Sequence, residues 1–216
     1  MKLLKTGIAG LDEFLQGGLP PRVFLVMGSP GSGNDVFARQ VANYRAKEVD
    51  VTYFTVTRSV DSVKEDMSAY GWQTQPLEKT GSWRFITLAS TDPLTEVVTA
   101  EMKQHRSIVI DSLSELILTR KTNEVIDLLN TMSNLNKDFQ ELHLILLTKG
   151  MQLRTTEVTM QHFADGVLVF TITHGTEAQA KHIMIKKIRA ATVPSRMLQY
   201  SIGERGFKIE TATRIT

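Results

Sequence analysis

Cysteine is missing from all 216 residues of the sequence. Its absence excludes a disulfide framework and thiolate metal sites, and it leaves redox chemistry without a protein nucleophile. The five histidines are scattered without the clustered spacing of zinc ligands. We therefore predict no metal centre built from side chains of these two types.

Long apolar runs and a strong excess of one charge are also missing. No stretch is long and apolar enough to cross a bilayer, and Asp12 and Glu13 interrupt the N-terminus before a signal-peptide core could form. The chain has 25 Lys and Arg against 23 Asp and Glu, so its overall charge does not indicate a nucleic-acid partner. We predict a cytoplasmic protein without a membrane partner.

The length and the hydrophobic pattern predict one α/β domain over residues 1–216. Apolar runs bounded by turn residues alternate with segments of helical period, which indicates a mainly parallel central sheet flanked by helices. After Gly150, short strands joined by tight turns predict a C-terminal antiparallel extension. The predicted strands cover 23–27, 51–56, 83–88, 107–111, 142–147, 166–173, 180–189, 197–202 and 206–210, and the predicted helices cover 36–44, 60–70, 93–105 and 124–139.

A glycine-rich loop joins the first predicted strand to the first predicted helix. It has the spacing of a Walker A loop, in which backbone N–H groups form a cradle for phosphate. The loop consists of Gly28, Ser29, Pro30, Gly31, Ser32 and Gly33. A working loop continues with Lys, which contacts the phosphates, and with Ser or Thr, which contacts Mg²⁺; here these positions hold Asn34 and Asp35. The backbone half of the motif is present and the side-chain half is absent.

Asp35 places a negative charge at the helix N-terminus, where a phosphate would otherwise lie. We expect Asn34 or Asp35 to cap the helix and to satisfy its free N–H groups, with a stabilisation of about 1 kcal/mol. Two alternatives stay open. The segment is a glycine-rich turn without a ligand, or Asp35 ligates Mg²⁺ directly and keeps a nucleotide bound.

Residues 6–20, TGIAGLDEFLQGGLP, resemble the segment before the first core strand in the KaiC-like branch of the RecA superfamily. The resemblance extends through the loop and covers nearly the whole chain. It includes Gly71-Trp72, the segments 108–114 and 163–169, Lys187-Ile-Arg189 and Pro194-Ser-Arg196. This resemblance implies a RecA-like P-loop fold and a family of ATPases.

The resemblance also implies roles for single residues. Asp111 matches the Walker B aspartate that helps to organise Mg²⁺, although a strand-terminal carboxylate also caps turns. Thr57 and Arg58 stand where hydrolytic members carry paired glutamates, and neither is a general base at neutral pH. We therefore predict an inactivated member without catalytic residues and without a need for ATP or Mg²⁺, while nucleotide binding stays open.

Lys187 and Arg189 match a Lys-x-Arg element that reaches the γ-phosphate bound by a neighbouring subunit in hexameric relatives. The resemblance thus implies a trans-acting or anion-binding role. The alternative is that both residues face solvent from alternating positions of a terminal strand.

Three functions follow from these residues. The leading one is a pseudo-ATPase that regulates or assembles through protein contacts, with itself or an active paralogue, in signal transduction. The second is a DNA-binding accessory of the recombination-mediator kind, which rests on a segment from Lys181 to Arg196 without acidic residues. The third is a slow ATPase or nucleotide-binding switch in which Asp35 and Asp111 hold Mg²⁺. Lys149 or Arg154, which we place in the loop after the strand at 142–147, then supplies the cation.

Overall fold

The computed structural model describes residues 2–174, 179–191 and 196–210. The strands are β1 (Val23–Gly28), β2 (Val51–Thr55), β3 (Trp83–Thr87), β4 (Ser107–Asp111), β5 (His143–Thr148), β6 (Gly166–His174), β7 (Gln179–Ile188), β8 (Leu198–Gly203) and β9 (Gly206–Ile209). The helices are α1 (Ala9–Phe14), α2 (Asn34–Arg45), α3 (Val60–Ala69), α4 (Gln75–Thr80), α5 (Leu94–Met102), α6 (Leu113–Thr119), α7 (Thr122–Phe139) and α8 (Arg154–Phe163).

All nine strands belong to one sheet with the order β3-β2-β4-β5-β1-β6-β7-β8-β9. The first six strands in this order are parallel, and β7, β8 and β9 follow as an antiparallel extension. β1, β2 and β4 are buried along their whole length, as strands with both faces covered by helices must be. The predicted α/β fold with a parallel core and an antiparallel extension is confirmed.

Two hydrophobic cores cover the two faces of the sheet. Alternate residues of β1 point to opposite sides, so Phe24 and Val26 pack in the core that contains α2. Val23, Leu25 and Met27 pack in the other core, with α5 and α7. Among the described residues, no helix is both long and apolar enough to cross a membrane.

The N-terminal segment is fastened by the carboxylate of Asp12. This carboxylate accepts hydrogen bonds from the N–H and the hydroxyl of Thr6 at 2.8 and 2.7 Å, and from the N–H of Gly7 at 3.0 Å. Leu4 and Leu19 pair through a β-bridge, and Gly18 lies so close to Leu4 that a Cβ would overlap its carbonyl. These contacts give structural roles to Thr6, Gly7, Asp12 and Gly18 of the segment 6–20.

The antiparallel extension lies against α2. The Gln40 side chain of α2 donates to the carbonyl of Phe207 at 3.1 Å and accepts from its N–H at 2.7 Å. The Phe207 ring also stacks on Tyr200 at 4.3 Å, and its centroid lies 5.3 Å from that of Phe37. Trp72, which follows α3, packs against Gly206 at the start of β9. The helix after the phosphate loop is therefore packed directly against the last strands.

Four helices were not predicted from the sequence, namely α1, α4, α6 and α8. α8 corrects one prediction directly. Arg154 is not in a loop after β5 but is the first residue of this helix. Segments 175–178 and 192–195 lie outside the described residues, so Pro194 and Ser195 of the family pattern are not placed.

Candidate functional site at the phosphate loop

The phosphate loop follows β1 at the carboxyl edge of the parallel strands, where open α/β sheets bind ligands. Gly31 and Gly33 both have φ of +79°, a left-handed conformation that glycine adopts without strain. Gly28 is required for space, because a Cβ there would overlap Ser32 Oγ. The backbone thus has the glycine positions that a phosphate cradle needs.

Two side chains of the antiparallel extension donate hydrogen bonds to backbone carbonyls of this loop. Lys181 Nζ of β7 donates to the Gly31 carbonyl at 2.8 Å, and the Tyr200 hydroxyl of β8 donates to the Ser32 carbonyl. Ser32 N–H closes the turn onto the Ser29 carbonyl at 3.0 Å, while Pro30 is exposed at the tip. The loop is therefore fixed by residues from the far end of the chain.

The predicted capping of α2 by Asn34 or Asp35 is wrong. The N-cap is Gly33, and no side chain caps the helix. Asn34 Nδ2 turns back to the Val26 carbonyl at 3.3 Å, and Asn34 Oδ1 accepts from Ser32 Oγ at 3.2 Å. Asp35 Oδ2 lies 3.3 Å from Nη1 of Arg39, one helical turn further on. Both residues lie inside the helix, at its first two positions, and their side chains contact a buried carbonyl and a guanidinium instead.

Arg39 is the centre of a buried charge cluster, which we call the Arg39 cluster. Its Nη2 donates to Asp111 Oδ2 at 3.2 Å, its Nη1 to Asp66 Oδ2 at 3.0 Å, and its Nε to the Tyr53 hydroxyl at 3.1 Å. The Tyr53 hydroxyl itself donates to Asp111 Oδ2 at 2.6 Å. Together with Asp35, the cluster joins α2, α3, β2 and β4.

Burial and the neighbouring groups together determine the charge states in the Arg39 cluster. It works against the charge of Arg39, whose side chain is 2% exposed, but Tyr53, Asp35 and Asp111 outweigh it and raise the pKa of Arg39 above its ordinary value. Burial and the neighbouring Asp111 raise the pKa of Tyr53 well above its ordinary value. Tyr53 therefore stays a neutral donor beside a charged guanidinium.

Residues in this arrangement do not fit a family-type Mg²⁺ site. A magnesium ion takes oxygen ligands in near-octahedral geometry, and the matching oxygens would come from positions 35 and 111. Here Asp35 and Asp111 both contact the same guanidinium. Within the described part of the chain, no three carboxylate or imidazole groups are placed to hold a metal ion.

Thr57 and Arg58 also make internal contacts. Thr57 donates through its hydroxyl and its N–H to the two oxygens of Glu115, at 2.5 and 3.3 Å. Arg58 Nη2 contacts Asp66 Oδ2 at 2.6 Å. Glu115, in the first turn of α6, thus brings a carboxylate to the position of the missing glutamates, which the sequence reasoning did not foresee.

Lys187 closes the C-terminal end of α8. Its Nζ donates to the carbonyls of Gln161, His162 and Ala164 at 3.0, 2.7 and 2.6 Å, which favours a cation at the negative end of the helix. Burial, and next the charge of Arg189, lower the pKa of Lys187 below its ordinary value. Lys187 is therefore an internal helix cap in this chain.

Arg189 is half exposed and bonds to a buried partner. Its Nη1 lies 2.8 Å from Asp165 Oδ1, which also accepts from Ser133 Oγ at 2.7 Å. The alternative of a solvent-facing basic strand is wrong for Lys187, whose Nζ bonds to three carbonyls at the end of α8, whereas Arg189 follows β7 and is half exposed. A contact with a neighbouring subunit's phosphate stays a prediction.

The remaining basic residues fall into two groups. Lys181 and Lys186 bond to the Gly31 carbonyl and to Gln161 Oε1, so two of the lysines on which the DNA hypothesis rests make internal contacts. Lys149 and Arg154 are exposed.

Arg39 is the main residue that sequence reasoning missed. The available signal was a basic residue four positions after Asp35, on the same helix face as this unexpected carboxylate. Its contacts with Asp66 and Asp111 depend on the fold, since they span 27 and 72 residues.

Comparisons with known proteins agree with this architecture. The chain is 26% identical over 236 residues to a UPF0273 protein of Thermotoga maritima, with 97% of this chain and 96% of that protein covered. It is 32% identical over 140 residues to a UPF0273 protein of Methanocaldococcus jannaschii, a match that spans 62% of this chain and about half, 52%, of that protein. A 93-residue segment is 36% identical to the circadian clock protein KaiC3 of Synechocystis, covering 42% of this chain and 18% of KaiC3.

A solved structure shares the fold. The KaiC-like protein PH0186 of Pyrococcus horikoshii superimposes with a TM-score of 0.80 over 97% of this chain and 99% of its own, at 19% identity. The family model of the KaiC ATPase matches residues 4–214. With its parallel sheet, phosphate loop and antiparallel extension, the chain belongs to the KaiC-like ATPase domain family of the RecA superfamily.

Proposed function

We propose that this chain is a non-hydrolysing KaiC-family domain that works by binding protein partners, either further copies of itself or an active paralogue. The observation that carries this proposal is the Arg39 cluster. It engages the Walker B carboxylate in a domain whose loop lacks the lysine and the Mg²⁺ hydroxyl. Turnover needs all three groups to act on one nucleotide.

The positions of the paired glutamates support the loss of hydrolysis. Thr57 has replaced the first of them, and the carboxylate nearest to it, Glu115, is engaged by Thr57 through both oxygens. A general base must reach a water with a free lone pair. The contacts orient Glu115 toward Thr57, and the experiment below tests whether this carboxylate acts as a base.

Exposed apolar side chains support a role in protein contacts. Leu118 on α6, and Met151, Leu153 and Val158 around the start of α8, are 62, 41, 77 and 53% exposed. Gln152 Nε2 donates to the Ser114 carbonyl at 3.0 Å and thereby ties the segment before α8 to α6. Apolar residues gathered at one edge are typical of protein interfaces.

Calorimetric titration with ATP and ADP, with and without Mg²⁺, tests the first half of the proposal together with a phosphate-release assay. We expect no hydrolysis above the rate of a blank. The variant Asn34→Lys with Asp35→Thr restores the two loop side chains, and we expect it to gain nucleotide binding through the loop and its lysine. Hydrolysis by the wild-type chain that Glu115→Gln abolishes would contradict the proposal and identify the base.

Light scattering over a wide range of protein concentrations tests the second half. We expect association that Leu153→Ser weakens, because this residue is the most exposed of the four apolar side chains. The matched control is Met197→Ser, at an apolar side chain outside this group that is 54% exposed. A wild-type monomer at every concentration, alone and mixed with an active paralogue, would remove the protein-contact role.

A further inference from the structure

The two positions through which a KaiC-type domain would hold its metal ion contact a single guanidinium in this chain. Asp35 stands at the position of the Mg²⁺ hydroxyl and Asp111 at that of the Walker B aspartate. Nη1 and Nη2 of Arg39 lie 3.3 and 3.2 Å from these two carboxylates. Asp66, from α3, adds a third carboxylate at 3.0 Å.

We propose that Arg39 takes the place of the divalent cation, so that this domain holds the end of β4 and the start of α2 together without a metal ion. A guanidinium is always charged and presents its donors in a planar fork that suits carboxylates. Nε, Nη1 and Nη2 of Arg39 all have partners in the cluster. The ion is thus replaced by a side chain of the domain itself.

Burial separates the Arg39 cluster from an ordinary surface ion pair. Asp111 is 11% exposed and Arg39 only 2%, so water screens this pair weakly. A second cation entering beside the guanidinium would meet a like charge at short range, and it would have to take oxygens that Arg39 and Tyr53 already hold. The cluster therefore excludes the ion by charge and by occupancy.

Other charged groups around the cluster do not change this balance. Arg58 contacts Asp66 at 2.6 Å and adds a second positive charge on the side of α3. The three carboxylates thus meet two guanidinium groups. Asp35 and Asp111 each contact the Arg39 guanidinium, which a metal ion would have to displace.

The inference deepens the proposed function, since it rests on the same site, but the two can fail separately. A metal ion bound at Asp111 without ATP hydrolysis would overturn only the present inference. Hydrolysis of ATP in the absence of divalent cations would overturn only the proposed function.

Titration with Mn²⁺, followed by electron paramagnetic resonance, tests the inference on the wild-type chain without nucleotide. We expect no stoichiometric site at submillimolar Mn²⁺ and no change of the melting temperature on adding Mg²⁺. One bound ion per chain that disappears in Asp111→Asn would overturn the inference. This wild-type measurement is decisive even if the variants below do not fold.

Arg39→Gln provides the converse test. Without the guanidinium, the carboxylates of Asp35 and Asp111 lose their shared partner, and we expect affinity for Mn²⁺ to rise at least about tenfold and to fall back in the double variant with Asp111→Asn. Arg45→Gln is the matched control, because Arg45 is a buried arginine of the same helix with two carboxylate partners, Glu48 and Glu141. A folded Arg39→Gln that gains no Mn²⁺ site, or an equal gain in Arg45→Gln, would overturn the inference.

Discussion

Single buried side chains determine the electrostatics of this domain. Tyr53 and Arg39 share the Asp111 carboxylate, and all three lie beneath the carboxyl edge of the sheet. Each hydrogen bond to a buried charge contributes more than a neutral one, because the dielectric around it is low. We therefore expect the removal of a single donor to lower the free energy of unfolding by a measurable amount.

Tyr53→Phe removes one hydroxyl from the Arg39 cluster and leaves the ring in place. We expect the free energy of unfolding to fall by about 1.5–3 kcal/mol, since a charged acceptor loses its donor. Urea unfolding at pH 7 measures the loss. Tyr70→Phe, at a half-buried tyrosine stacked on Trp72, is the control and should change stability by no more than about 0.5 kcal/mol. Equal losses would show that the Asp111 bond contributes nothing.

His143 makes stability depend on pH. It is buried between two partners, accepting from the Ile108 N–H at 3.1 Å with Nδ1 and lying 3.0 Å from Asn136 Oδ1 with Nε2. Burial lowers the pKa of His143 to about 3. The unfolded chain takes up a proton below about pH 6.5 while the folded chain does not, so stability falls as the pH drops from about 6.5 towards 3.

Comparing wild type with His143→Asn isolates this contribution. Between pH 7 and pH 5, we expect the wild type to lose about 2 kcal/mol more than the variant in urea unfolding. His105→Asn is the control, because His105 is exposed and asparagine tolerates its positive φ. The same pH dependence in all three proteins would contradict the assignment to His143.

At the scale of the elements, a basic residue that bonds to the end of a helix is less available to a partner. Lys187 was expected either to reach a neighbouring phosphate or to face solvent, and it instead closes the end of α8. Its neighbour Lys186 is exposed and contacts one side-chain oxygen, of Gln161. Adjacent lysines of one strand thus differ in their structural role.

Comparing Lys187→Met with Lys186→Met measures this difference, because methionine is similar in length to lysine. We expect Lys187→Met to lower the free energy of unfolding by about 1–2 kcal/mol, because three carbonyls at the negative end of α8 lose their cation. Lys186→Met should change it by no more than about 0.5 kcal/mol. Thermal unfolding followed by circular dichroism gives both values, and equal effects would show that Lys187 is not a structural cap.

The elements also show what could be predicted from the sequence. Strands such as β1 and β4 are continuous apolar runs between turn residues. This signal is local, so it can be recognised without knowledge of the fold. α8 was missed because only Glu157 and Met160 of its residues are buried, and one of these two is charged, so few apolar residues mark its buried face. The glycines of the phosphate loop were recognised by their spacing, whereas the contacts of Arg39 required strands and helices distant in sequence.

At the scale of the whole molecule, the two ends of the sheet carry separate optical probes. Trp83 lies in β3 at one edge, and Trp72 packs against the start of β9 at the other. We predict that the chain unfolds as one domain, because a single sheet connects these edges and α2 packs on the last strand.

Trp72→Phe and Trp83→Phe each leave one fluorescent reporter. Within each variant, we expect the fluorescence midpoint in urea to coincide with the midpoint from far-ultraviolet circular dichroism. Such coincidence in both variants would support the single domain predicted for residues 1–216. An early transition seen only through Trp72 would show that the antiparallel extension unfolds on its own.

The contact between Gln40 and Phe207 also affects how this protein avoids aggregation. β9 is the last strand of the sheet, and an edge strand offers unpaired N–H and carbonyl groups to any other chain. The amide of Gln40 takes both the N–H and the carbonyl of Phe207, as a neighbouring strand would. A side chain of α2 thus occupies the backbone hydrogen-bonding groups of one residue in the edge strand. A second copy of this domain cannot pair its own edge strand with this one at Phe207.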